Sequence, residues 1–206
     1  MRALNGRGYV HWALDQYDAA LADYDRVLEA DSSDIEAVSG RADCFMAMDR
    51  HAEAIAEYTC AIGMEQDPTA RAVHHCGRAV SFNLADQLEE ALADYDEAIR
   101  LSPDNAHILL NRGHVLHGLE RYEAALADFN ALLDRAENQA ERAQAFAGRA
   151  DVLRAQERCE EALADYDRAI DEDPDNAVTE YWIPAEDLRE LNDNIVGLIE
   201  LAAEHH

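Results

Sequence analysis

The residues with the clearest chemical potential are three histidines spaced as on one helical face. His107, His114 and His117 stand at i, i+7 and i+10, so a helix through them presents three imidazoles on one side. Imidazoles titrate near pH ~6.5 and bind divalent metals, and Asp151, 37 residues after His114, offers a carboxylate. The sequence allows a metal site of His114, His117 and Asp151, or a pH-sensitive patch of the three histidines. No HExxH motif or cysteine pair supports the metal.

Five arginines form a second chemical series, because each is followed by an acidic residue sixteen positions later. In two antiparallel helices whose turn lies midway, both members of each pair stand at about the same height. We therefore expect partly buried salt bridges; the alternative is an array of guanidinium groups that binds ligand carboxylates. The pairs are Arg7 with Asp23, Arg41 with Glu57, Arg78 with Asp94, Arg112 with Asp128, and Arg149 with Asp165.

The sequence lacks the usual motifs of enzymatic catalysis. It has no Gly-rich phosphate loop, no GxSxG and no Cys–His motif in a loop. Four cysteines, Cys44, Cys60, Cys76 and Cys159, fit neither a zinc site nor a disulfide framework, so we interpret them as buried reduced thiols. We expect a protein that is not an enzyme and needs no cofactor.

An internal repeat must position these residues. The string Ala-Leu-Ala-Asp-Tyr-Asp occurs at 20–25, 91–96 and 162–167, with variants at 54–58 and 125–129. The five arginines precede these strings at intervals of 34, 37, 34 and 37 residues. Alanine, leucine, glutamate and arginine favour helices. A repeat of this length cannot bury its apolar face alone, so we expect neighbouring helical units to stack on one another.

The repeat resembles the tetratricopeptide repeat family in its period and in the placement of its small and aromatic residues. The resemblance implies an all-α, right-handed α-solenoid of five hairpins, at 1–34, 35–68, 72–105, 106–139 and 143–176. Small residues let the helices approach closely, and an aromatic residue fills the space between them. The first small residues are Gly8, Ala42, Ala79, Gly113 and Ala150; the second are Ala20, Ala54, Ala91, Ala125 and Ala162; the aromatics are Tyr24, Tyr58, Tyr95, Phe129 and Tyr166.

The repeat is irregular at two joints and in the C-terminal tail. Three extra residues stand at 69–71 and 140–142, and we predict that the second helices of units two and four continue by one turn. Two unrelated loop insertions are the alternative. In 177–206, Pro184 breaks a first helix, and an apolar stripe from Leu188 to Ala202 predicts a C-terminal capping helix. His205 and His206 are consistent with a tag remnant.

The charge of the chain excludes several classes of partner. Its 206 residues include 44 acidic residues and 17 arginines, with no lysine, for a formal charge of −27. Such a protein repels nucleic acids and anionic membranes. The sequence has neither an apolar run that spans a bilayer nor a signal-peptide core, so we expect a soluble cytoplasmic protein. Arginine without lysine indicates a GC-rich genome or a high-salt cytoplasm.

The resemblance also implies a binding surface, because in this family the first helix of each unit lines a concave groove where partners bind. The groove set is less acidic than the chain and mostly apolar in its middle, which favours a peptide or amphipathic helix as ligand. Small groove residues that merely let the superhelix close are the alternative. The set contains Asn5, Tyr9, Trp12, Ser39, Asp43, Met46, Val73, Cys76, Val80, Asn83, His107, Leu110, Asn111, His114, His117, Gln144, Ala147, Asp151 and Arg154.

Three functional hypotheses follow from this reading. The first is a protein-interaction scaffold or adaptor that holds a partner peptide or helix in the groove. The second is a metal- or pH-responsive binding protein that uses the histidines, and the third is self-assembly through the uncapped first helix. The clamp with which some family members bind chaperone tails is missing, because the chain has no lysine and retains only Asn111 of the clamp asparagines.

Overall fold

The computed structural model describes residues 1–103 and 105–174, which form ten α-helices in five consecutive hairpins. First helices (α1, α3, α5, α7, α9) alternate with second helices (α2, α4, α6, α8, α10). The bounds are α1 Arg2–Ala13, α2 Tyr17–Ala30, α3 Ile35–Ala47, α4 His51–Met64, α5 Pro68–Leu84, α6 Leu88–Leu101, α7 Ala106–Gly118, α8 Tyr122–Arg135, α9 Gln139–Ala155 and α10 Cys159–Glu172. An all-α solenoid is therefore confirmed.

Side-chain caps begin four of the five first helices. Asp34, Asp67, Asn105 and Asn138 each accept a hydrogen bond from a backbone N–H in the first turn, which satisfies a donor that the helix itself leaves unpaired. Within each hairpin, the turn to the second helix instead uses one residue with φ between 57° and 63°. These five left-handed residues are Asp15, Asp49, Asp86, Glu120 and Glu157.

The extra residues at the long joints lengthen the following first helix, so the prediction of longer second helices in units two and four is wrong. All five second helices have 14 residues, whereas α5 and α9 have 17 and the other first helices 12 or 13. The start of α5 explains the first case: Pro68 disfavours a helical conformation in the residue before it, and Asp67 caps a new helix. Asn138 caps α9 in the same way.

The hairpins stack so that first helices contact one another directly and second helices do not. The row of closer helices is the inner side of a curve, so the first helices line a concave surface. Aromatic residues of the second helices fill the joints between hairpins. A Cβ added to Gly8, or to Gly40 of the next hairpin, would lie 2.8 Å from Cε1 of Tyr24, which shows how closely both backbones enclose this ring.

The predicted capping helix, Pro184 and the two terminal histidines lie outside the described residues. The unit boundaries stay predictions, although each predicted unit contains one first and one second helix.

Candidate functional site

Each of the five arginines lies within hydrogen-bond distance of the acidic residue sixteen positions later. Arg112 donates two bonds of 2.7 Å to Asp128, and Arg78 does the same to Asp94. The Arg7–Asp23 and Arg149–Asp165 pairs have bonds of 2.5–2.8 Å, and Arg41 contacts Glu57. Because its guanidinium group bonds Asp23, Arg7 holds the pKa of that carboxyl below its usual range.

Four of these arginines also donate a hydrogen bond to a side chain of the preceding hairpin. These bonds were not predicted from the sequence. The Nη1 atoms of Arg41 and Arg112 lie 2.9 Å from Asp25 and 2.6 Å from Asp96. Across the longer joints, Arg78 and Arg149 use Nη1 to reach the corresponding residues Thr59 and Asn130. These partners could have been predicted from their spacing, because they stand sixteen residues before the arginine, or nineteen where three residues are inserted. Since these groups are occupied on two sides, a ligand-binding arginine array is not supported.

The concave surface is made by exposed side chains of the first helices. Tyr9 and Val73 are 61% and 60% exposed, and His107, His114 and Asn83 are exposed as well. The structure adds Leu84, which is 54% exposed at the end of α5 and was not predicted. An imidazole-bearing stretch on α7 thus lies next to an apolar stretch on α5.

Some predicted groove residues are not at the surface. Asn5 is 2% exposed and donates bonds of 3.1 Å to Asp34 and Glu36, so its assignment to the groove is wrong: it ties α1 to the start of α3. Ala147 is also buried. Half-buried positions form the floor, and several of them pack against the core. They are Trp12, Ser39, Asp43, Met46, Cys76, Val80, Leu110, Asn111, His117, Gln144, Asp151 and Arg154.

The structure does not support the metal candidate, because no group of three potential metal ligands occurs in the described residues, which include His114, His117 and Asp151. Asp151 instead accepts a 2.5 Å hydrogen bond from the hydroxyl of Tyr166 and lies 3.9 Å from Arg154. The His114 ring packs edge-on against Phe129, with centroids 5.3 Å apart. The surrounding protein partly desolvates His114, which stays exposed, and His117, which is half-buried, and this lowers the pKa of both.

Two carboxylates on the groove floor are coupled to the aromatics of the second helices. Tyr58 donates a hydrogen bond to Asp43, as Tyr166 does to Asp151. Burial raises the pKa of Asp43, and the Tyr58 hydroxyl opposes that rise. These tyrosines therefore link the core of their hairpins to carboxylates on the concave surface.

Charge is segregated between the two helix rows. The first helices carry four acidic residues, Glu36, Asp43, Glu141 and Asp151, whereas the second helices carry twenty. The concave surface is thus the least acidic part of the stack, although the whole chain has a formal charge of −27.

The cysteines divide into two kinds, so their interpretation as uniformly buried thiols is partly wrong. Cys44 is buried and Cys76 half-buried, and burial raises the pKa of these thiols to about 12 and about 11. Cys60 and Cys159 are exposed on second helices. Nothing in their surroundings marks either as a reactive site.

Comparison with known proteins identifies the repeat. A family model described as "Tetratricopeptide repeat" matches residues 5–70 and 118–177, and one described as "TPR repeat" matches 82–120. Together the two segments of the first model span more than half of the chain. In the described residues, no helix is both long and apolar enough to span a membrane.

Solved structures show the same fold at low sequence identity. YrrB, described as a TPR protein with an unusual peptide-binding site, is 22% identical with a TM-score of 0.68, over 85% of this chain and 88% of YrrB. MamA is 16% identical with a TM-score of 0.71, over 82% of this chain and 96% of MamA. The first TPR of Spaghetti (RPAP3), bound to an HSP90 peptide, is 20% identical with a TM-score of 0.53, over 57% and 90%.

Proposed function

Because the chain belongs to the tetratricopeptide repeat family, whose fold serves as a protein-interaction scaffold, we propose that its concave surface binds a peptide or amphipathic helix of a partner protein. The protein acts as a scaffold or adaptor and not as an enzyme. The ligand lies along the first helices, with its apolar side chains toward α1 and α5 and polar contacts to α7 and α9.

The observation that carries this proposal is the exposure of apolar side chains on an otherwise acidic protein. Tyr9, Val73 and Leu84 are each more than half exposed and lie on the first helices. Keeping such side chains in water is unfavourable, and an exposed apolar patch rimmed by polar residues is typical of a protein-binding site. The tight-closure alternative requires small residues here, and these three side chains are large.

The polar groups at the far end of the groove give the ligand a direction. Exposed His107 and His114 lie on α7, and Asp151 and Arg154 follow on α9. Their imidazole, carboxylate and guanidinium groups provide donors and acceptors that an apolar stretch lacks. A ligand therefore places its apolar residues at α5 and its polar residues at α7 and α9.

A displayed random-peptide library tests the proposal without knowledge of the natural partner. Peptides selected on the full-length protein are labelled, and their binding to wild type and to two variants is measured by fluorescence anisotropy. Val73→Glu places a charge on the concave surface, and Ala93→Glu is the matched control on the exposed side of α6. We expect Val73→Glu to weaken binding at least tenfold and Ala93→Glu to leave it within about twofold, since a buried unpaired charge costs more than about 1.4 kcal/mol.

Two outcomes oppose the proposal. Equal binding by all three proteins would place the peptide site elsewhere. If no peptides are selected, or if the selected peptides do not compete for one site, the concave surface has no ligand of the proposed class. The scaffold function would then have to use another face.

A further inference from the structure

The helix α1 exposes a face that the other first helices bury against the preceding hairpin. This α1 outer face consists of Ala3, Gly6 and Val10 of α1 and its C-cap residue Leu14, which recur at helical spacing. Val10 is 53% exposed. Its counterparts in the next four hairpins are almost completely buried: Cys44 0%, Ser81 0%, Val115 1% and Val152 0%.

Gly6 of this face leaves space in which an aromatic ring could pack. At Gly40, Gly77 and Gly148, three of the four corresponding positions, an added Cβ would collide with the aromatic side chain of the preceding hairpin; the fourth position is Asn111. At Gly6 an added Cβ meets nothing within 4 Å. The residue that makes room for a ring is therefore present where the described residues supply no ring.

Arg7 shows a matching difference in its hydrogen bonds. Its side chain is 57% exposed, whereas those of Arg41, Arg78, Arg112 and Arg149 are 19–24% exposed. Those four arginines bond a side chain of the preceding hairpin through Nη1. Among the described residues, Arg7 bonds only Asp23 of its own hairpin.

The last helix that the structure describes, α10, carries the complementary side chains. The α10 outer face consists of Leu163, Tyr166, Asp167 and Ile170, the positions with which earlier second helices contact the next hairpin. Leu163 and Ile170 are 52% and 48% exposed, whereas Leu92, the counterpart of Leu163, is 8% exposed. Tyr166 corresponds to Tyr24, whose ring packs on Gly40, and Asp167 to Asp25, which accepts from Arg41.

We infer that the α10 outer face of one copy docks on the α1 outer face of another, which repeats between chains the joint that exists four times within one chain. Tyr166 of the first copy covers Gly6 of the second, and Asp167 accepts a hydrogen bond from Nη1 of Arg7. The attraction between Arg7 and Asp167 and the continuity with the internal joints identify a second copy as the occupant.

The contact joins two different faces, so it is heterologous and leaves one free face at each end of the assembly. Growth is therefore open-ended unless the superhelix closes into a ring. The formal charge of −27 opposes association, and salt screens that repulsion because the Debye length falls to about 8 Å near 0.15 M ionic strength. The inference is independent of the proposed groove, because the groove uses another side of the first helices.

Blocked variants of the full chain test the inference by analytical ultracentrifugation. Gly6→Leu blocks the α1 outer face at a position where an added Cβ meets nothing within 4 Å, and Val10→Glu is a second variant of that face. Leu163→Glu blocks the α10 outer face. Gly63→Leu and Leu84→Glu are matched controls, because Gly63 also has open space around it and Leu84 is 54% exposed on a different face.

The expected pattern is specific to a head-to-tail contact. Wild type and both controls should increase in mass with concentration, and each blocked variant alone should stay at the 23.0 kDa of the monomer. An equimolar mixture of Gly6→Leu and Leu163→Glu should form one dimer and nothing larger, because only one competent pair of faces remains. A wild type that stays monomeric would overturn the inference and leave the α10 outer face to the capping helix predicted in 177–206. Assembly by the blocked variants, or a mixture without the dimer, would overturn it as well.

Discussion

Nη1 of Arg112 lies 2.6 Å from Oδ1 of Asp96, so a residue of the fourth hairpin is bonded to a residue of the third. The same guanidinium group donates two bonds to Asp128 within its own hairpin. One side chain therefore connects three helices, α6, α7 and α8. This arrangement explains why arginine recurs at this position: a planar group with five donors reaches two carboxylates at fixed angles, which an ammonium group does not.

Loss of this connection should destabilise the middle of the stack more than its start. We expect Asp128→Ala to reduce the free energy of unfolding by about 2–3 kcal/mol, less than the ~3–5 kcal/mol of a fully buried pair, because Arg112 is partly exposed. Arg112→Ala should cost more than Arg7→Ala, since among the described residues Arg7 bonds only Asp23 of its own hairpin. Urea denaturation measures each value.

The Arg112–Asp128 pair should also be non-additive. In a double-mutant cycle, the combined variant should lose less stability than the sum of the two single variants, because each single change leaves a charge without its partner. Additive losses would contradict the ion-pair interpretation and reduce both residues to independent packing contributions.

Replacement of Glu120 by glycine should stabilise the protein. Glu120 adopts φ = 57°, a left-handed conformation that glycine adopts more readily than residues with a Cβ. We expect Glu120→Gly to raise the free energy of unfolding by about 0.5–1 kcal/mol in thermal or urea denaturation. Glu90→Gly, inside α6, should lower it by a similar amount, and stabilisation by both changes would indicate a cause other than the backbone angle.

The repeat explains why much of the fold could be predicted. Five copies of the same positions show which residues must be small and which aromatic, because a hairpin that packs against its neighbours repeats its contacts. The helix order and the five Arg–acid partners followed from this regularity. The lengthening of α5 did not, because the three extra residues suit either neighbouring helix, and the capping by Asp67 and Pro68 decides between them.

The candidate site was less predictable because exposure depends on neighbouring hairpins. Asn5 occupies a position that faces the groove in other units, yet carboxylates of α3 and its cap engage its amide. The metal candidate lacks support for a related reason: equivalent positions of the repeat place His114 and Asp151 on one surface, but the Tyr166 hydroxyl donates a hydrogen bond to that carboxylate. The distances between side chains of neighbouring hairpins decide which of them bond. The repeat pattern of the sequence shows which positions are equivalent but not these distances.

A methyl group at Gly148 should be costly, although glycine usually weakens a helix. The added Cβ would lie 2.6 Å from Cζ of Phe129, a buried ring with little freedom to move. We expect Gly148→Ala to lower the free energy of unfolding by about 1–3 kcal/mol through overpacking. Gly63→Ala, a helical position with open space around it, should instead raise it by about 0.5–1 kcal/mol. Urea denaturation measures the free energy of unfolding of both variants. Equal changes in the two would contradict the close packing at Gly148.

Acidification should destabilise the protein through His74. This side chain is buried, and burial lowers its pKa below the ordinary value of 6.5. Glu65, whose Oε2 lies 3.8 Å from Nε2 of His74, opposes the shift, and neighbouring His75 adds to it. Because the folded form binds the His74 proton less readily than the unfolded chain, its contribution to stability is present above pH ~6.5 and is lost as the pH falls through the lower folded pKa. Urea denaturation at pH 8 and pH 5 should show a larger loss for wild type than for His74→Gln. His74→Ile, which introduces the residue found at the same position of α7, Ile108, should flatten the pH dependence likewise, and parallel pH profiles in all three proteins would assign the acid sensitivity to other groups.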